Sequence, residues 1–163
     1  DKGLFVRVLT PKNVTDIFQV RQLLEGFALA QAAQNLDEGR RRRLRELEGQ
    51  FAAFRGRSDE MEAYIQLDTQ LHTYLIECSD NLFLRELTGR IYDILQPVRV
   101  LSLSDRQRYE ESIEEHLQII QGLLAGDPQR AAQGLERHLL EAREMVLQVL
   151  RNQLPPDPQK PEP

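Results

Sequence analysis

The sequence predicts an all-α fold, an antiparallel bundle of about six to seven helices preceded by a short extended segment. Three observations carry this expectation. From Pro11 to about residue 152 the apolar residues recur three and four apart, the spacing of one helix face. The breaks between these runs hold Gly and Pro, at Gly56, Pro97 and Gly126-Asp127-Pro128, with no Asn-Gly hairpin signal. Only Lys2 to Val8 alternates apolar and polar side chains as a strand does.

Taken in order, the first helix is expected over 11–34, with Pro11 in its first turn and Val14, Ile17, Val20 or Arg21, Leu24, Ala28 and Ala32 facing inward. A second, over 38–56, buries Leu44, Leu47, Phe51 and Phe54. A third, over 59–78, presents Met61, Tyr64 or Ile65, Asp68, Leu71 or His72, Leu75 and Cys78. The fourth, over 81–102, is kinked or ended by Pro97, which removes a backbone donor and crowds the preceding turn. Ser104 with Gln107 forms a capping-box pattern that opens a fifth helix to about 125, along Ile113, His116 or Leu117, Ile120 and Leu123 or Leu124. Gly126-Asp127-Pro128 supplies a stop, a cap and a first-turn proline for a sixth helix to about 152. Its inner face reads Ala131, Leu135, His138 or Leu139, Ala142, Met145 and Val149. The Pro-rich polar tail over 153–163 cannot build a core and is expected to be disordered.

At 163 residues the chain fits one domain able to bury about two-thirds of its unfolded surface. The single Cys78 excludes an internal disulfide framework, and no apolar run is long enough to span a bilayer, so a cytoplasmic protein without a membrane partner is expected. A formal net charge of -5 disfavours a nucleic-acid grip by the domain as a whole. The one basic run, Arg40 to Arg43 with Arg45, precedes Glu46 and Glu48 at helical spacing and reads as a solvated helix face.

The chain has three histidines, and His72, His116 and His138 each fall on the apolar stripe of a different helix. With about three inward positions in seven, chance places all three inside with a probability of roughly 0.08. Asp68 lies four residues before His72, on the same face. A carboxylate among Ile65, Leu71 and Leu75 costs several kcal/mol to bury unless a cation or strong donors meet it. Each residue alone suits a satisfied core position, with an arginine as partner for Asp68. Together, three imidazoles and a carboxylate are the ligand types of a divalent transition metal such as Zn or Ni, with Fe, Co and Mn also suited.

Several ordered segments resemble one family. Lys2-Gly3-Leu4-Phe5-Val6 is similar to the end of the wing in a winged helix-turn-helix, and Arg21-Gln22-Leu23-Leu24-Glu25 to an Arg-x-x-Leu-Glu first helix. Asp68-Thr69-Gln70-Leu71-His72 with Ser79-Asp80-Asn81 resembles an Asp-x-x-Phe-His and Asn element, with Leu71 in place of Phe. Glu115-His116, Gly126-Asp127-Pro128, Ala131-Ala132 and His138-Leu139 complete the pattern. The chain therefore looks like the FCD (FadR C-terminal) domain of GntR-type transcription regulators, of the metal-binding type. The resemblance implies residues 1–10 as the remnant of a wing and linker and 11–152 as the sensing domain. It also implies Asp68, His72, His116 and His138 as metal ligands, a small organic acid as effector, a homodimer, and operator DNA contacted only through a domain missing at the N-terminus. Arg99, just past Pro97, and Arg21 are the candidates for a planar fork that holds the effector carboxylate. Two other readings compete. A mononuclear metal enzyme would use the same ligands to activate water, but no separate acid or base is committed to proton transfer, so no enzyme is expected. A plain helical dimerisation module would leave the histidines without an ion.

Overall fold

The computed structural model describes residues 9–103 and 105–153. These contain six α-helices and no strand: α1 (Pro11–Gln34), α2 (Glu38–Ala53), α3 (Met61–Cys78), α4 (Leu82–Arg99), α5 (Arg106–Leu124) and α6 (Pro128–Gln153). Short 3-10 turns, Ser58–Glu60 and Val100–Leu103, lead into α3 and out of α4. The expected extended segment Lys2 to Val8, Ser104 and the tail beyond Gln153 lie outside the described residues.

Most helix starts are fixed by a side chain that accepts from an orphan backbone N–H. Thr10 accepts from Asn13 N while Asn13 Oδ1 accepts from Thr10 N, a reciprocal box ahead of Pro11. Asp37, Asn81 and Asp127 accept in the same way at the starts of α2, α4 and α6. At α5 the cap is Asp105, which accepts from Arg108 N at 2.7 Å, one residue after the Ser104 that the capping-box pattern proposed. Pro97 sits in the last turn of α4, where it removes one backbone donor, and the chain tightens into the 3-10 turn from Val100.

The α5–α6 hairpin is the tightest part of the bundle. Gly126 adopts φ +70 just past α5, and Asp127 N donates to Gly122 O at 2.8 Å, closing the helix before Asp127 caps the next. A Cβ on Gly122 would lie 2.5 Å from Ala131 N and 2.9 Å from Ala131 Cα, and one on Gly134 would lie 3.1 Å from Ile119 Cγ1. Stepping inward from the turn, Gly122 meets Ala131, Ile119 meets Gly134, and His116 meets His138. This register aligns two of the three histidines. The helix α1 lies across α6 and α3, α2 packs on α5, and α4 rests against α1 and α3.

The inner faces follow the expected stripes, with three local differences. In α1 the buried line runs Val14, Phe18, Arg21, Glu25, Ala28, Leu29 and Ala32, whereas Ile17 and Leu24 are half-buried and Val20 is exposed. Apolarity alone selects Ile17 and Leu24; the true line is legible only if Arg21 and Glu25 enter the core as a pair. In α6 Val146 and Leu147 are buried in place of Met145 and Val149. At the end of α2, Phe54 is a half-buried cap and the helix stops at Ala53, before the positive-φ turn at Gly56. The basic run is a solvated face tied down by separate partners: Arg43 meets Glu46, Arg45 meets Glu38, Arg40 forks onto Asp80, and Arg41 donates to Leu124 O.

Candidate metal centre

Three helices converge on one buried point. The helix α3 brings Asp68 and His72, one turn apart, against His116 from α5 and His138 from α6. Asp68 Oδ1 lies 2.9 Å from His116 Nε2 and 3.5 Å from both His72 Nε2 and His138 Nε2, and the His72 and His116 Nε2 atoms are 3.4 Å apart. One donor atom from each of the four residues lies within 4.8 Å of the others, and all four residues are buried. Donors held at roughly 2.1 Å from one ion stand roughly 3.0–3.4 Å apart in tetrahedral or cis octahedral arrangements, so these spacings fit an ion at their centre.

The opposite side of each imidazole is also occupied. His72 Nδ1 donates to Glu25 Oε2 at 2.5 Å and His138 Nδ1 to Glu115 Oε2 at 3.0 Å. His116 Nδ1 is 2.9 Å from Tyr64 Oη, which is 2.8 Å from Ser112 Oγ, and Phe51 stacks on the His116 ring at 4.6 Å. A proton held at Nδ1 of His72 and of His138 leaves the Nε2 lone pairs of these two rings facing Asp68. Such a ring of converging acceptors is relieved by a cation, and the outer hydrogen bonds hold the rings in ligating orientation. Both outer carboxylates have arginine partners: Arg21 bonds Glu25 at 2.5 Å, and Arg108 forks onto Glu115.

The electrostatics favour neutral imidazoles at His116 and His138. Burial pushes His138 down to about 4 and His116 well below its ordinary value, with the neighbouring histidines adding to the fall. For Glu115, burial works toward a higher value, but Arg108 and His138 outweigh it and hold the carboxyl at about 2. Burial likewise opposes ionisation of Glu25, and Arg21 and His72 overcome it. Metal ligation needs neutral imidazoles, and burial favours that form at His116 and His138.

The four residues expected as ligands are thus brought together, and the two expected effector anchors lie beside them. Arg21 and Arg99 line a narrow cavity of about 20 Å³ whose wall also includes Phe18, Asp68, Arg108 and His138. Each arginine already has a partner. Arg21 lies on Glu25 and over the Phe18 and Tyr92 rings, while Arg99 reaches Asp68 Oδ2 and, at 2.5 Å, Thr69 Oγ1. The arginine partner that the sequence offers Asp68 as an alternative to a metal is present: Arg99, itself buried, supplies the opposing charge. Sequence reasoning passed over Glu25, Tyr64, Arg108 and Ser112 as site residues and gave Glu115 no role. A signal was present in the charged pair Arg21 and Glu25, four apart and in line with Val14, Phe18, Ala28 and Ala32.

Comparison with known proteins follows the same lines. Two solved structures share the fold: the FCD domain of TM0439 in its metal-free form (24% identity, TM-score 0.75) and in its Zn2+-bound form (23%, 0.71). In each case 89% of this chain and 99% of the other are covered. Among curated proteins the chain is similar to the uncharacterized HTH-type transcriptional regulator YdhC of Bacillus subtilis, with 26% identity over 91% of this chain and 66% of that protein. It is also similar to the Nta operon transcriptional regulator of Aminobacter aminovorans, with 27% identity over 93% of this chain and 70% of that protein. The chain thus spans about two-thirds of the length of these relatives. The family model of the FCD domain matches residues 16–141, and on that match the chain belongs to the FCD domain family.

Proposed function

We propose that this chain is the effector-sensing and dimerisation domain of a GntR-type transcription regulator. It holds one divalent transition metal, Zn or Ni foremost, on Asp68, His72, His116 and His138. The observation that carries this reading is the convergence of three Nε2 atoms on one carboxylate oxygen, each imidazole being fixed from behind by a buried partner. When bound, the ion supplies Lewis-acid attraction for the oxygens of a small organic acid. Arg99 and Arg21, on the wall of the adjoining cavity, then give its carboxylate a planar fork. Effector binding shifts the packing of the helices and with it the presentation of an operator-reading domain that precedes residue 11. The transcription regulators to which the chain is similar support this arrangement.

Dimerisation rests on a separate feature. Val20, Leu23 and Phe27 form an outward stripe on α1, with Leu23 74% exposed; Phe83, Leu87 and Ile94 form another on the adjacent α4, with Phe83 78% exposed. Apolar faces of this kind are covered by a second copy in a symmetric dimer. No described helix is long and apolar enough to cross a membrane. The deciding experiment is elemental analysis of the chain after exposure to Zn or Ni, beside His116→Ala and His138→Ala. One ion per chain in the wild type and its loss in both variants are expected. A wild type without stoichiometric metal, or variants that retain it with unchanged affinity, overturns the reading.

A further inference from the structure

The buried charges around the cavity balance without any ion. Three cations, Arg21, Arg99 and Arg108, face three carboxylates, Glu25, Asp68 and Glu115, and all six side chains are buried. A divalent ion on three neutral imidazoles and Asp68 leaves this region with two uncompensated positive charges. A low-dielectric interior disfavours that excess, so a ligand carrying two negative charges is the best match for the ion. A monocarboxylate brings one.

The wall of the cavity shows where the second charge belongs. Arg108 is 3% exposed and lines the cavity, and its Nη atoms bond Glu115, with Glu111 3.5 Å from Nη1, yet its Nε–H finds no hydrogen-bond partner among the described residues. A buried guanidinium donor left unmatched costs free energy, and such orphans mark an absent acceptor. Arg108 comes from the start of α5, whereas Arg99 comes from the end of α4. The hydroxyls of Ser102 and Ser112 line the same space. Two guanidinium groups on different elements, with the ion site beside them, match a ligand with an acceptor group at each end.

We propose that the effector is a dicarboxylate, one carboxylate meeting the metal and Arg99 and the other accepting from Arg108 Nε. This rests on the metal reading above. The cavity, of about 20 Å³, holds little more than a water as it stands. Entry therefore requires Arg99 to leave Asp68 for the ligand, a rearrangement that an ion on Asp68 makes affordable.

The test is titration calorimetry on the full chain loaded with Zn, with metal content measured before and after. Malonate, succinate and glutarate are each compared with the monocarboxylate of equal length, and succinate also with its half-amide succinamate. At least one diacid is expected to bind tenfold or more tightly than its monoacid, and succinamate to behave as a monoacid. Arg108→Lys keeps a cation for Glu115 but removes the Nε–H. It is expected to retain the metal and bring diacid and monoacid affinities within about threefold of each other. Diacids no tighter than monoacids, diacids that only strip the metal, or an Arg108→Lys variant that keeps the full preference would each overturn the proposal. With metal bound stoichiometrically, those results leave the metal reading standing; a chain that never takes up metal overturns both.

Discussion

Replacing Asp68 by Ala removes a proposed metal ligand and, at the same time, strands Arg99. Asp68 and Arg99 are each 9% exposed and bonded to one another, so the substitution leaves a buried guanidinium without its ion-pair partner. Breaking a buried pair from one side costs about 3–5 kcal/mol. In a domain of this size each kcal/mol lowers the melting temperature by about 2–4 °C, so Asp68→Ala is expected to melt about 6–20 °C below the wild type in chelator. Removing the second charge as well should restore most of that loss. Arg99→Leu fills similar apolar volume, and Thr69, which loses its contact with Arg99, keeps a hydrogen bond to Ile65 O at 2.9 Å. The double variant Asp68→Ala/Arg99→Leu is therefore expected to approach wild-type stability in chelator while taking up no metal. Calorimetric melting with and without Zn reads both quantities. If the double variant melts as low as the single one, Arg99 is not the compensating charge and the account of how the ion-free core tolerates Asp68 is wrong.

Stability of the metal-free chain should depend on pH through the histidines. His138 titrates at about 4 when folded against 6.5 when unfolded, so between these values the unfolded chain takes a proton that the folded one refuses. Stability is full above pH 6.5 and falls by about 3 kcal/mol by pH 4, with His116 adding in the same direction and Glu115 only below about 4.5. Urea melts flat between pH 7 and 5 would contradict this. Phe27→Glu or Phe83→Glu is expected to shift a dimer to monomer in light scattering at tens of micromolar without lowering metal content; an unchanged mass would move the interface elsewhere. The chain by itself is expected to show no nanomolar, sequence-selective DNA binding at physiological salt, given its net charge of -5, and a gel-shift titration checks this.

The helices and the members of the candidate cluster were legible in the sequence for one physical reason: each depends on spacing along a single helix. Asp68 and His72 share a face because they are four apart, and His116 and His138 declare themselves by sitting in apolar stripes. What spacing does not carry is which helix faces which. The bond from Glu25 to His72 crosses 47 residues and that from Arg99 to Asp68 crosses 31, so neither follows from local pattern. A buried Glu also contradicts ordinary partitioning, and the stripe of α1 was accordingly drawn through Leu24 instead of Glu25. The Asp105 cap was missed because Ser104 and Asp105 both suit an N-cap and only the backbone decides between them.

The close approach of Gly122 to Ala131 also bears on the order in which the chain assembles. The contact bridges a single turn, and the Glu115–His138 bond deeper in the hairpin spans 23 residues, against 44 for His72 to His116. Loop closure is cheaper for the shorter span by about 0.5 kcal/mol, and local contacts of this sort form early in helical domains. The hairpin thus brings His116 and His138 together as one half, while α3 carries Asp68 and His72 as the other, ready-made on one helical turn. Folding then needs only the docking of two preassembled halves. In kinetic terms, Gly122→Ala, which drives a Cβ into the Ala131 backbone, is expected to slow refolding nearly in proportion to the stability it removes, whereas a Leu75→Ala cavity in α3 should act mainly on the unfolding rate. Stopped-flow chevrons of the two variants test that order, and equal effects on the folding limb would refute it.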